Sequence, residues 1–169
     1  MTGYATEGWG EFFLCAGGAT AALSGLIFVA VSVNIQAILE ADKRAGGNFL
    51  TGRALEALAA MLTVLVISIV ALTPAIHPGV LAAFILLTAA GSMISPVRAL
   101  NSSRGTGPLS ATMLLRLLTA VALTLTLLGT GVTLALGEGG GLFWLPVAFV
   151  LAITVAAINA WVLLVEVLR

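Results

Sequence analysis

Residues 57–97 read ALAAMLTVLVISIVALTPAIHPGVLAAFILLTAAGSMISPV, 41 positions without Asp, Glu, Lys or Arg. A spanning helix takes ~20 apolar residues to cross a ~30 Å hydrocarbon core. As one helix this run would be ~60 Å long at 1.5 Å per residue. It must therefore fold back. The break is Pro74-Ala75-Ile76-His77-Pro78-Gly79, where two prolines that lack an N–H flank the turn and a glycine follows. The stretch thus predicts two antiparallel membrane spans, at about 53–75 and 79–97.

The same reading extends outward. Positions 12–39, 117–137 and 139–165 are also free of charge, over 28, 21 and 27 residues. They predict spans at about 11–39, 110–136 and 142–168. Backbone amides in lipid must be paired internally, by helices or by a closed barrel. No ten-residue block alternates with period two, which argues against a barrel. The expected fold is all-α, an integral membrane bundle of five transmembrane helices forming one domain over residues 1–169.

Composition agrees. Hydrophobic residues make up 60% of the chain and charged residues 8%, with a mean hydropathy of +1.18. Water-solvated domains carry about 25% charged residues, so that class is excluded. The first apolar run follows an acidic segment with Glu7 and Glu11 and is longer than a signal-peptide core, so it is expected to remain as an anchor. Seven basic residues balance seven acidic ones, which leaves no net field for nucleic acid. Cys15 is the sole cysteine, so no intrachain disulfide forms.

The basic residues give an orientation. Lys43, Arg44 and Arg53 fall in the first connection, Arg98, Arg104 and Arg116 in the third, and Arg169 is last. With five spans all seven lie on one side, which the positive-inside rule makes cytoplasmic. The N-terminus is then outside, the C-terminus inside, and the location a bacterial inner membrane. Tyr4, Trp9, Phe12, Phe13, Phe143 and Trp144 fall at the outer interface, as an aromatic belt would.

Candidate sites are few. Gly17-x-x-x-Ala21-x-x-x-Gly25 is a small-residue ridge of the kind that lets helices approach closely, and Ala148, Ala152 and Asn159 share a second packing face. In the fourth span Thr112, Thr119, Thr126, Thr130 and Thr133 fall near one line at helical period, with Arg116 beside it. Such a stripe faces water or another helix, or each hydroxyl bonds its own i−4 carbonyl. Arg53 and Glu56 are spaced for an i, i+3 pair. His77 lies in a predicted outer turn, and with no second His or Cys nearby a zinc site is not expected. Gly105-Thr106-Gly107-Pro108 reads as a turn into the fourth span, and 137–141 as a flexible outer connection. No catalytic constellation is visible, and neither cofactor nor metal is expected.

Trp9-x-x-Phe12-Phe13, the run Gly25-Leu26-Ile27-Phe28-Val29-Ala30-Val31-Ser32-Val33-Asn34, and Arg53-Ala54-Leu55-Glu56-Ala57-Leu58 resemble a group of small, mostly uncharacterised bacterial multi-pass proteins sometimes labelled modulators of the membrane protease FtsH. The resemblance covers about the first 75 residues and carries over no functional residue. That label is shared with Bax-inhibitor-like proteins, which have intramembrane aspartates; here the one Asp, Asp42, is expected in a loop. The function expected is non-enzymatic: an oligomeric scaffold or modulator working through helix–helix contacts, with the bilayer, further copies and a membrane protein as partners. The alternative is a small homo-oligomeric channel or transporter with the threonine line along its path.

Overall fold

A computed structural model describes residues 3–45, 47, 49–94, 97 and 111–167, leaving aside the side chains of 45, 49, 111–113, 116 and 164–167. Arg98, Arg104, Arg169 and the predicted turn at 105–108 lie outside the described residues, as do the side chains of Thr112 and Arg116.

The described chain is helical, without strands. In order it forms α1 (Gly10–Val33), α2 (Ile35–Ala45), α3 (Phe49–Ala71), α4 (Pro78–Ser92), α5 (Ala111–Leu136), a 3₁₀ turn at Gly141–Trp144 and α6 (Leu145–Val167). Four of the helices, α1, α3, α5 and α6, are long and apolar enough to cross a membrane. α4 is apolar but has 15 residues, ~22 Å at 1.5 Å per residue.

The predicted break within 57–97 falls where expected. α3 ends at Ala71, and Pro78 opens α4 at a position where its missing N–H costs nothing. His77 caps that helix: its Nδ1 accepts from the Gly79 amide at 3.1 Å.

The first apolar run departs from expectation. α1 stops at Val33 instead of continuing to 39, and α2 begins at Ile35. At the junction the Asn34 side-chain amide donates to the Ala30 carbonyl at 2.8 Å, in competition with the helix's own ladder. α2 is amphipathic, and Ile38 packs with Leu50, Ala54 and Leu163. Asp42 is on this helix, not in a loop, and is 3% exposed. Its carboxylate accepts from the Leu50 and Thr51 amides, at 2.7 and 3.0 Å, and from the Thr51 hydroxyl at 2.7 Å. One carboxylate therefore satisfies two free amides at the start of α3 and ties α2 to it.

α3, α4, α5 and α6 pack in a ring, each against two neighbours, and α1 lies outside the ring against α3. The core is filled by Met61, Val64 and Ile67 of α3, Leu81 and Ile85 of α4, Leu127 of α5, and Leu145 and Ala148 of α6. α4 and α5 approach closely at Gly131, where an added Cβ would lie 2.6 Å from Leu86 Cγ.

The end of the bundle opposite α2 is an aromatic knot. Trp9, Phe12, Phe13, Phe143 and Phe149 stack or meet edge-on, with ring centroids 5.3–6.5 Å apart. Trp9 and Phe13 are therefore buried packing residues, whereas Phe143 and Trp144 stay exposed. The loop before α6 is an ordered turn: Gly137, Gly139, Gly140 and Gly141 all have positive φ, which suits glycine. The Glu138 amide reaches back to the Thr133 carbonyl and closes α5. The N-terminal segment is fastened there, with the Leu142 amide on the Gly3 carbonyl at 2.7 Å and the Gly140 amide on Tyr4 Oη at 2.9 Å.

Candidate functional site

Three features carry the polar or unfilled surface of the bundle: the outer face of α1, the threonine line of α5, and a polar cluster where α3, α5 and α6 meet.

α1 meets the bundle along one side, mainly against α3. Only 11% of its most apolar stretch is buried, against 39–44% in the other three long helices. Phe13, Gly17 and Thr20 are its buried residues. Gly17 permits the contact with α3, since a Cβ there would sit 3.1 Å from Ser68 Cβ. The predicted ridge divides at this point. Gly17 faces α3, while Ala21 and Gly25 are exposed. At 100° per residue Leu14, Gly18, Ala21, Gly25, Val29 and Ser32 gather on the outer side, and all six are exposed. A Cβ on Gly18 or Gly25 would meet nothing within 4 Å.

The described α5 threonines bond their own helix. Thr126 donates to the Ala122 and Leu123 carbonyls, Thr130 to Thr126 at 2.8 Å, and Thr133 to Gly129 at 2.6 Å. Thr130 is fully buried. Thr119 bonds the Leu115 carbonyl at 3.1 Å and is half-buried. A neighbouring threonine off the predicted line makes the cross-helix contact: Thr124 Oγ1 is 2.8 Å from Ser92 Oγ on α4. Its burial depends on where α4 packs, and the period of α5 alone does not show that.

Asn159 is 2% exposed and joins α6 to α3. Its Oδ1 accepts from Arg53 Nη1 at 3.2 Å, and its Nδ2 donates to Glu56 Oε2 at 3.5 Å. The amide thus stands between the two charged residues of the predicted i, i+3 pair, with its carbonyl to the cation and its NH₂ to the anion. Ala148 and Ala152, predicted on the same face, are both fully buried. Beside the cluster is a cleft of about 120 Å³ lined by Arg53, Leu115, Thr119, Val155, Ile158, Asn159 and Val162. Among the described residues no group of His, Cys, Asp and Glu is arranged to hold a metal ion. Compared with known proteins, no family model matches this chain, and no curated protein or solved structure matches it either.

Proposed function

We propose that this protein is a non-enzymatic, multi-pass protein of the bacterial inner membrane, acting through helix–helix contacts as a homo-oligomeric scaffold or as a modulator of a membrane partner such as a protease. It crosses the bilayer five times, with α4 in the third crossing, the N-terminus outside and the basic residues in the cytoplasm. The observation that carries the reading is the outer face of α1. That face keeps Gly18, Ala21 and Gly25 exposed on a helix whose buried positions are Phe13, Gly17 and Thr20. Association in lipid gains little from apolar burial and depends on close backbone approach, which small residues permit. A threonine-lined conduction path fits less well, because the Thr126, Thr130 and Thr133 hydroxyls are bonded to carbonyls of their own helix.

Disulfide crosslinking in native membranes tests this. In a Cys15→Ser background, Gly25→Cys should give a dimer, or an adduct with one membrane protein, on mild oxidation. Ile27→Cys, on the half-buried side of α1, should give neither. Absence of any adduct at position 25, or equal yields at both positions, contradicts the proposal.

A further inference from the structure

We infer that the turn between α3 and α4 is an acid-sensitive latch, in which a proton taken up by His77 uncaps α4 and loosens that end of the helix ring. Three observations lead there. First, His77 alone satisfies the start of α4. Pro78 has no N–H, and the next three amides all end on His77. Gly79 donates to Nδ1 at 3.1 Å, and Val80 and Leu81 donate to the carbonyl at 2.9 and 3.3 Å. Accepting through Nδ1 requires a nitrogen without a proton. An imidazolium carries N–H on both ring nitrogens, so the Gly79 amide would meet a donor in place of its acceptor. The same proton puts a cation at the positive end of the helix dipole. Both effects have one sign. The cap is complete when the ring is neutral and is lost as pH falls through the range, between about pH 5 and 8, where histidine changes charge.

Second, the turn is strained. Ala75 has a φ of 54°, in the left-handed region that favours glycine. Such a residue persists only while its surroundings hold it. The cap follows two positions later, so its loss lets the turn relax.

Third, α4 has little length to spare, with 15 residues against 23, 26 and 23 in α3, α5 and α6. Leu81 stands in its first turn and is fully buried in the core. Fraying there disturbs the core and the seam with α5. His77 is itself exposed, so a proton reaches it without any opening of the bundle.

α4 packs against α3 and α5. Arg53 and Glu56 of α3, and position 116 of α5, lie toward the opposite end. Glu138 is exposed just beyond α5, at the same end as His77. Glu7 and Glu11 share that end but are carried by α1, which packs on α3, and by the segment before it. Among the described residues His77 forms no ion pair with any of them. In the proposed topology the turn is on the outer side, so the latch would read the pH outside the membrane.

The test is hydrogen–deuterium exchange of the full-length chain in a non-ionic detergent. It is run at about pH 7.5 and about pH 5, either side of the usual histidine transition, with labelling times scaled for intrinsic rate. Peptides spanning 72–86 should lose protection about fivefold at the lower pH, the factor that one N-cap hydrogen bond provides. Peptides from α6 should keep theirs. His77→Asn supplies a side-chain acceptor that caps as well and takes up no proton, so it should stay protected at both pH values. Glu138→Gln should behave as the unaltered protein. Equal protection at the two pH values in the unaltered protein overturns the latch. So does a loss that persists in His77→Asn, or one that disappears in Glu138→Gln.

Discussion

Phe13→Ala is expected to free α1 from the bundle. Phe13 is fully buried at the centre of the aromatic knot, with its ring 5.4 Å from Phe12, 6.3 Å from Trp9 and 6.5 Å from Phe149. Phe→Ala in a packed core costs ~3–5 kcal/mol from lost contacts and the cavity left behind. In most helices that loss would be shared among many neighbours. Here Phe13 is the one large side chain among the three buried positions of α1, and Gly17 and Thr20 contribute small surfaces. The hydrogen bonds from Leu142 to Gly3 and from Gly140 to Tyr4 still hold the N-terminal segment, so the chain should remain inserted. The readouts are a lower thermal midpoint in detergent and a shift in the emission of Trp9, which packs edge-on to Phe143. An unchanged midpoint would mean that lipid and detergent, not Phe13, hold α1 in place.

Arg53→Met has the second large effect expected. Methionine matches the apolar stem in length but removes the donor to Asn159. The contact between Asn159 and Glu56, at 3.5 Å, then loses the cation beside it. Neutral hydrogen bonds between membrane helices contribute ~0.6 kcal/mol on average. Breaking a buried charged pair by removing one partner costs ~3–5 kcal/mol. Glu56 is half-buried and keeps some access to water or headgroups, which places the expectation between these figures, at ~2–3 kcal/mol. The double variant Arg53→Met, Asn159→Leu should be less damaged than the sum of the singles, because the second change removes the stranded carbonyl. Additive losses measured by denaturant titration would show that the two side chains do not act as a unit.

How far the fold could be read depended on where backbone chemistry interrupts the pattern. Pro74, Pro78 and Gly79 are visible in sequence, and α3 and α4 separate there. Asn34 carries no comparable signal inside a run that stays apolar to position 39, so the end of α1 was not legible. Asp42 sits among charged residues and looks solvated. Its burial follows from the amides at the start of α3 that it reaches by folding back, a tertiary fact. The two glycines of the α1 ridge were equivalent in sequence. α1 is apolar on nearly every side, so periodicity does not mark its inward face, and only the position of Ser68 selects Gly17. Asn159 stood out as a polar residue within a span, and it does bond across helices. Its partners, Arg53 and Glu56, lie more than 100 positions away and have no local signature.

The proposed five-crossing topology, with every basic residue on one side, underlies the proposed function. Single cysteines at positions 7, 43, 77, 104, 138 and 169 in the Cys15→Ser background, probed in intact spheroplasts with a membrane-impermeant thiol reagent, test it directly. The account predicts labelling at 7, 77 and 138, and protection at 43, 104 and 169 until the membrane is permeabilised. Labelling of 43 or 104 from outside, or their appearance on opposite faces, would contradict it.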